Sequence, residues 1–201
     1  MAVQTAPTEQ IQQAQTTVQV ARRAFSSADY HRMGEIGILG EDDRVELIDG
    51  DIRLMSSYSI AHVSIVLRSN AIIAPQVGKT AIVSVHNPIL LNNFSEPQPD
   101  ITLLRYRADF YRKAAPTAAD VLLLIEVSDT TLAYDRQEKL PRYALAGVPE
   151  VWITNVDGQA VERYSDPQGN QYATKQTFKR GQSIGVLALP QITVAVDSIF
   201  G

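Results

Sequence analysis

The stretch "VLLLIEVSD", Val121 to Asp129, places an acidic residue, Glu126, at the end of a run of five apolar residues. Such a run predicts a β-strand that is buried on both faces. Side chains alternate along a strand, which predicts one shared face for Leu122, Leu124, Glu126 and Ser128. A carboxylate on a buried face is costly unless it is paired or binds a cation. The alternative is that Glu126 is a solvated residue at a strand end.

The composition is that of one ordinary globular domain, with 201 residues of which 45% are hydrophobic and 20% are charged. The absence of cysteine excludes disulfides, thiolate metal sites and cysteine nucleophiles. Any metal ion must therefore bind oxygen or imidazole ligands, and the chain has three histidines, His31, His62 and His86. The net charge of -4 disfavours binding to nucleic acid by bulk positive charge, but it leaves room for a local basic groove.

The first 20 residues are rich in Gln, Thr and Ala and contain no aromatic residue. They predict a flexible or weakly helical N-terminal tail, followed by a single domain over residues 21–201. The tail lacks the positive start and the apolar run of a secretory signal. No apolar stretch approaches the ~20 residues of a membrane span. We therefore expect a cytoplasmic protein with no membrane segment.

The order of patterns along the chain predicts a strand pair, a helix, several strands, a helix and further strands. Asp49-Gly50 lies between two short apolar stretches and predicts the tight turn of a β-hairpin. "SIAHVSIVLRSN" has helical spacing, whereas "PILL", "PQPDITLL" and "EVWITNV" have the composition of strands. Pro141 should kink the helix in "TTLAYDRQEKLPRYALAGV" or begin a shorter one. This order predicts a mixed α/β or α+β sheet with one face covered by helices.

Two further carboxylates accompany apolar strands. Asp100 begins the strand "ITLL" and Glu46 interrupts "RVELIDG". Taken singly, Asp100 is typical of a strand-entry turn and Glu46 of an edge strand. Together with Glu126 they would converge if their strands were neighbours, and a divalent cation would relieve their repulsion. Magnesium prefers such oxygen ligands and can activate water for attack on a phosphoryl group.

Lys139 lies in the predicted helix that follows the Glu126 strand. An ammonium group near the carboxylates could orient the attacking water or offset charge in the transition state. Asp135 stands four residues earlier, so the spacing alone favours an ordinary surface pair between these two residues. Tyr143 lies one turn further along and is expected either to line the same cleft or to pack in the core.

Taken together, these segments resemble the Uma-two family of restriction endonucleases, which belongs to the PD-(D/E)xK nuclease superfamily. The resemblance runs from about Phe25 to Tyr164 and rests on "VELIDGDI", "SIAHVSI", "PQPDI", "LLLIEVSD", "YDRQEKLPRYALAGVPEVWI" and "VERY". It implies a restriction-endonuclease-like fold, in which helices flank a mixed central β-sheet, and a site that uses Mg²⁺ or Mn²⁺ to hydrolyse phosphodiesters. On this resemblance Asp100 matches the aspartate of "PD", Glu126 the acidic residue of "(D/E)xK", and Glu46 an additional acidic residue.

One position departs from the superfamily pattern. Ser128 stands where the superfamily lysine is expected, and a hydroxyl cannot supply its charge. The family pattern places the lysine on the following helix, which Lys139 fits. His62 matches a histidine at the start of a helix, where it could line the cleft, shuttle a proton or contact phosphate. A nearby backbone group could equally satisfy His62, and no site role is expected for His31 or His86.

The most basic stretch of the chain contains Arg105, Arg107, Arg112 and Lys113, interleaved with aromatic residues. Basic residues beside aromatic ones suit contact with a nucleic-acid backbone and stacking on bases. A solvated surface loop is the favoured alternative.

These observations predict a magnesium-dependent endonuclease that hydrolyses DNA phosphodiester bonds. Glu46, Asp100 and Glu126 would bind the metal ion, and Lys139 would assist the nucleophile. The alternative is a catalytically weak or inactive protein of the same fold that binds nucleic acid or regulates another protein, which Ser128 and the acidic net charge favour. The resemblance also implies a homodimer, since two sites are needed to cut two strands.

Overall fold

The computed structural model describes residues 22–40 and 42–201, so the predicted tail, residues 1–20, lies outside the described residues. The secondary-structure elements in chain order are α1 Ser27–Glu35, β1 Val45–Ile48, β2 Asp51–Leu54, α2 Ile60–Val77, β3 Ala81–Val85, β4 Ile101–Arg105, a 3₁₀ turn Ala118–Asp120, β5 Val121–Ser128, α3 Leu132–Tyr134, a π turn Asp135–Lys139, α4 Leu140–Leu145, β6 Glu150–Asn155, β7 Ala160–Gln168, β8 Gln171–Lys179, β9 Ser183–Val186, β10 Leu189–Ala195 and α5 Val196–Phe200.

The central sheet has six strands in the order β3-β4-β5-β6-β7-β8. Strands β5 and β6 are parallel, whereas the other neighbouring pairs are antiparallel. A parallel pair needs a crossover connection, and here α3, the π turn and α4 supply it. The mixed sheet with flanking helices confirms the fold class that the sequence predicted. The crossover also places the helix that carries Lys139 directly after the C-terminal end of β5.

Two hydrophobic clusters occupy the two faces of the sheet. One cluster contains the buried side of α2 together with residues of β9, β10 and α5. The other contains Tyr143 of α4, packed with Leu124 of β5 and Ile153 of β6. Helices therefore cover both faces, and the expectation from patterning alone that they cover one face is wrong.

Helix α2 comes nearer to a membrane span than the sequence led us to expect. By length and composition, it is the one helix among the described residues that could cross a membrane. Its buried residues Ile65, Val66, Ile73 and Val77 pack in the core beside the sheet. Other apolar residues of α2 are exposed, among them Ile60 and Leu67, so packing accounts for one side of the helix only.

Three local features differ from the sequence-based expectations. "PILL" forms an isolated bridge at Leu90 rather than a strand. Strand β10 and helix α5 were not expected. A register shift between β4 and β5 lies opposite the start of β5, and Leu122 packs in the same cluster as Leu123. A bulge interrupts the alternation of side chains, so the predicted face is correct from Leu124 onward but not at Leu122.

The π turn lies directly before Pro141. In this turn the backbone N–H of Leu140 donates to the carbonyl of Asp135, five residues earlier. In a regular α-helix the ring of Pro141 would clash with the carbonyl of Gln137, and its missing N–H would leave that carbonyl without a donor. Widening the preceding turn removes this conflict. Single π turns are often found at functional sites, and this one carries Lys139.

Candidate active site

The three predicted carboxylates line one cavity, and the strand order accounts for two of them. Ile101 of β4 pairs with Ile125 of β5, so Asp100 and Glu126 belong to neighbouring strands. Asp100 Oδ2 accepts a hydrogen bond from the backbone N–H of Val127 at 2.7 Å. Glu46 comes from the separate β1–β2 hairpin, which joins this region through a bridge between Leu47 and Glu96. This hairpin, rather than the central sheet, therefore delivers the third carboxylate.

All three carboxylates are buried, with exposed fractions of 4% for Glu46, 6% for Asp100 and 4% for Glu126. The reading of Glu126 as a solvated strand end is therefore wrong. Buried carboxylates require a partner, and Glu126 has two of them. Its Oε1 accepts a hydrogen bond from the hydroxyl of Tyr143 at 2.5 Å and lies 3.0 Å from Nζ of Lys139.

Lys139 joins two of the carboxylates. Its Nζ lies 3.0 Å from Oε1 of Glu126 and 3.2 Å from Oε2 of Glu46. The side chain is buried, as is that of Asp135, so the alternative of a surface pair is wrong. Asp135 instead accepts hydrogen bonds from the hydroxyls of Ser128 and Thr131, each at 2.7 Å. Ser128 therefore supports the turn that carries Lys139.

The electrostatics of this group favour a charged lysine. Burial alone would lower the pKa of Lys139, but the adjacent carboxylates of Glu126 and Glu46 raise it above its ordinary value. The pKa of Glu126 is raised by burial, and the ammonium of Lys139 opposes that rise. Lys139 is therefore a fixed positive charge. A further cation nearby would stabilise the ionised form of Glu126.

Asp100 has two imidazole neighbours. His62 Nε2 lies 3.0 Å from Asp100 Oδ1, and His86 Nε2 lies 3.2 Å from the same oxygen. The opposite ring nitrogen of His62, Nδ1, lies 3.0 Å from the carbonyl oxygen of Val127. Burial would raise the pKa of Asp100, but the two imidazoles and the Val127 N–H lower it to about 2. Asp100 is therefore ionised throughout the neutral range. Tyr58 stacks on both imidazole rings, with centroid distances of 4.5 Å and 4.9 Å.

An open cavity of about 330 Å³ exposes this group to solvent. Its walls come from the β1–β2 hairpin, the segment that leads into α2, the end of β5 and the π turn. The cavity is lined by Glu46, Asp100, Glu126, Lys139 and His62 among the predicted residues, and by Arg44, Arg53, Tyr58 and Tyr134 among others. A solvent-accessible space thus meets buried carboxylates, an ammonium group and two guanidinium groups.

The other predicted residues lie outside this cavity. Tyr143 packs in the core and reaches the group only through its hydroxyl. The basic stretch begins at Arg105, at the opposite end of β4 from Asp100 and roughly 16 Å away along the strand. There Arg107 pairs with Asp109 at 2.9 Å. Contact between this stretch and nucleic acid stays a prediction.

Sequence reasoning missed three residues: Tyr58 and Arg44, which line the cavity, and His86, which lies beside Asp100. His86 follows β3 directly, and its backbone N–H donates to the carbonyl of Asp100 at 3.0 Å. The antiparallel pairing of "AIVSV" with "ITLLR" puts His86 opposite Asp100, so the signal for His86 lies in the strand pairing. Tyr58 and Arg44 lie in irregular segments, where no periodicity indicates what they contact.

The mixed sheet, the buried carboxylates at two neighbouring strands and the adjacent lysine are the features that the resemblance to a nuclease family implied. The chain belongs to the Uma2 family, described as "Putative restriction endonuclease", whose family model matches residues 27–197. The family that the sequence resembles is therefore confirmed.

The fold has a counterpart among solved structures. A "putative nuclease belonging to DUF820" from Anabaena variabilis ATCC 29413 has a TM-score of 0.60 and 18% sequence identity, over 83% of this chain and 95% of that chain. At this identity the likeness concerns the fold. None of the curated proteins matches the sequence.

Proposed function

We propose that this protein is an endonuclease that uses Mg²⁺ or Mn²⁺ to hydrolyse DNA phosphodiester bonds. The observation that carries the proposal is the position of Lys139, whose ammonium is held by two buried carboxylates beside Asp100 at the wall of an open cavity. A structural ion pair does not need solvent access, whereas a hydrolytic site does.

The charge of the group suits a divalent ion. With all three carboxyl groups ionised, Glu46, Asp100 and Glu126 would carry three negative charges against the single positive charge of Lys139. Burial raises the pKa of Glu126 to about 8, and a divalent ion beside it would favour its ionised form. Asp100 and Glu126, with Glu46, would hold the ion through oxygen atoms, the ligands that Mg²⁺ and Mn²⁺ prefer. Because the oxygen atoms of these three side chains do not all lie within 4.8 Å of one another, water would complete part of the coordination. When bound, the ion would polarise a phosphoryl oxygen and lower the pKa of water.

Each side chain has a task that its contacts support. Glu46 and Glu126 position the ammonium of Lys139 from two sides, so that it needs no reorganisation during the reaction. In the proposed reaction this ammonium orients the attacking water and stabilises negative charge on the phosphoryl oxygens. Tyr143 fixes the rotamer of Glu126 from the core side. Ser128 and Asp135 brace the π turn, so they act on Lys139 indirectly.

Arg44 is suited to bind a phosphate of the substrate backbone. Its guanidinium lies 3.7 Å over the ring of Tyr58, which fixes the plane of the group. Its Nη2 is buried and makes no hydrogen bond within the part of the chain that the structure describes. Arginine donors commonly bind phosphate oxygens and position a protein on nucleic acid.

The proposed enzyme is a cytoplasmic homodimer, with its basic stretch from Arg105 to Lys113 as a further DNA contact.

The test is cleavage of supercoiled plasmid with Mg²⁺ or Mn²⁺, using the wild type, Asp100→Asn, Lys139→Ala and, as a control, the exposed surface variant Glu35→Gln. We expect the wild type and Glu35→Gln to nick or linearise the plasmid and both site variants to lose at least 100-fold in rate. Full activity of Asp100→Asn would contradict the site. If the wild type cuts neither single-stranded nor double-stranded DNA, the alternative of a nucleic-acid-binding or regulatory module takes the place of the enzyme.

A further inference from the structure

We infer that His62, His86 and Asp100 form a binding site for a divalent transition metal ion. The ligand atoms are Nε2 of His62, Nε2 of His86 and Oδ1 of Asp100. The inference adds two imidazole ligands that the proposed carboxylate site does not use and names the class of ion they select. Its relevance to cleavage rests on the proposed function, because Asp100 is common to both, but ion binding is measurable without cleavage.

The three ligand atoms converge on one point. The two Nε2 atoms lie 3.0 Å and 3.2 Å from Asp100 Oδ1. Two ligands at right angles, each ~2.1 Å from an ion, are ~3.0 Å apart. Among residues 22–40 and 42–201, this is the one group of three histidine or acidic side chains whose ligand atoms lie within 4.8 Å of one another.

The same nitrogens lack other partners. Although both Nε2 atoms are close to Asp100 Oδ1 and inaccessible to solvent, neither makes a properly aligned hydrogen bond to any described residue. His62 as a whole is 8% exposed. Buried polar atoms without partners are costly, and a shared cation would satisfy both nitrogens and the carboxylate oxygen together.

The tautomer of His62 suits a metal ligand. Its Nδ1 lies 3.0 Å from the carbonyl oxygen of Val127, which can only accept a hydrogen bond. The proton of a neutral imidazole therefore lies on Nδ1, and Nε2 presents a lone pair toward Asp100. Metal-binding histidines commonly donate their other ring N–H to a backbone carbonyl in this way. A lone pair on Nε2 would face the carboxylate oxygen at 3.0 Å, and either a proton on Nε2 or a shared metal cation removes the repulsion.

The surroundings hold both rings in place before any ion binds. Tyr58 stacks on His62 with an interplanar angle of 15° and on His86 with an angle of 16°. His86 has φ of 53°, in the left-handed region, where it is held by the hydrogen bond from its N–H to the carbonyl of Asp100 and by a second from Gln98 to its own carbonyl. Left-handed backbone at a residue other than glycine often marks a functional site.

The ligand chemistry selects the ion. Imidazole nitrogen suits Fe²⁺, Co²⁺, Ni²⁺ and Zn²⁺, whereas Mg²⁺ and Mn²⁺ prefer oxygen ligands and Mg²⁺ keeps several waters. Two histidines and one carboxylate form the ligand set of many open transition-metal sites. The competing arrangement is a His62–Asp100–His86 cluster that holds a proton instead of an ion, and the experiment separates these two cases.

The experiment is equilibrium dialysis of the full chain against Co²⁺ alone, with visible absorption of the bound ion and with Mg²⁺ as competitor. The variants are His86→Asn, which keeps a residue that tolerates left-handed backbone, and Glu126→Gln. The control is His31→Ala, which removes a half-exposed histidine that binds Glu96 elsewhere. We expect one Co²⁺ per chain, at least tenfold weaker binding in His86→Asn, no change in His31→Ala, and no displacement by a 100-fold excess of Mg²⁺.

The outcomes decide between the alternatives. The absence of Co²⁺ binding, or binding that His86→Asn leaves unchanged, would overturn the inference. Binding that is lost in Glu126→Gln but kept in His86→Asn would assign the ion to the carboxylates, so that the inference fails while the nuclease proposal stands. Binding as expected in a protein that cuts no DNA would support the inference and overturn the nuclease proposal. Unchanged thermal unfolding of the metal-free His86→Asn variant is the check that the fold is intact.

Discussion

Replacing Lys139 with methionine is the perturbation whose effect can be worked most directly from the structure. The side chain keeps a similar volume but loses its charge, so the main change is at the ammonium. That group lies 3.0 Å from Glu126 and 3.2 Å from Glu46, and all three side chains are almost fully buried. The variant leaves two buried carboxylates without their shared cation.

The expected cost follows from the burial of the carboxylates. Removing one partner of a buried ion pair lowers the free energy of unfolding by about 3–5 kcal/mol. Here the lower end applies, because Glu126 keeps its hydrogen bond from Tyr143 and Glu46 keeps one from Tyr134. Protonation of Glu126 would reduce the cost further, because it removes one of the two buried charges that lose their cation. A loss of about 3 kcal/mol lowers the melting temperature by about 6–12 °C in a chain of this size.

Urea denaturation of a double-mutant cycle measures the interaction itself. The cycle combines Lys139→Met with Glu126→Gln, and residues in such contact typically show coupling energies of 0.5–3 kcal/mol. We expect about 2 kcal/mol at neutral pH, since the loss of Lys139 matters less once Glu126 is neutral. The rate of plasmid cleavage should fall at least 100-fold in parallel. A coupling energy below about 0.5 kcal/mol would refute the reasoning, because the two groups would then not interact as the structure shows.

Three further predictions concern metal-dependent chemistry, pH and substrate binding. Asp100→Asn should abolish cleavage while circular dichroism stays unchanged, because the amide oxygen can still accept from the backbone; retained cleavage would contradict its role. Burial raises the pKa of Glu162, but Arg136 and Lys175 beside it bring that pKa below the ordinary value of 4.5. The ionised carboxylate therefore stabilises the fold fully above pH 4.5, and this contribution is lost as the pH falls through the lowered pKa. Glu162→Gln should therefore lower the free energy of unfolding by about 1–3 kcal/mol at pH 7, and this loss should shrink as the pH falls below 4.5, as urea titrations over a series of pH values would show. Arg44→Met should weaken DNA binding at least threefold in a fluorescence-anisotropy titration while Arg32→Met, at an exposed helix position, leaves it unchanged; equal affinity of both variants would remove Arg44 from the binding surface.

The sequence predicted the fold where periodicity and turn chemistry dominate. The Asp49-Gly50 turn, the helical spacing of α2 and the apolar run of β5 all depend on neighbouring residues, and the structure has each of them. The bulge near Leu122 and the C-terminal β10 and α5 were missed. The bulge depends on how β4 and β5 pair, which a pattern along one strand does not contain. In β10, exposed and buried positions alternate only from Gln191 onward, which leaves a short pattern for prediction.

The candidate site was predictable to the extent that its members stand on regular strands. Glu126 and Asp100 stood out because carboxylates are costly in apolar strands, and the strand order brings them together. His86 was given no role because it follows a strand at a single irregular position. Its contact with Asp100 depends on the left-handed backbone and on the pairing of β3 with β4, and both are properties of the folded chain.

The position of the lysine follows from the local structure around Ser128. The side chain of Ser128 is fully buried, and its hydroxyl donates to Asp135, so a lysine at that place would meet a packed carboxylate rather than the cavity. The crossover helix begins four residues later and passes the same end of β5. Its π turn, which accommodates Pro141, turns Lys139 toward Glu126 and Glu46 instead of toward solvent. The serine that departs from the superfamily pattern thus supports the turn that carries Lys139.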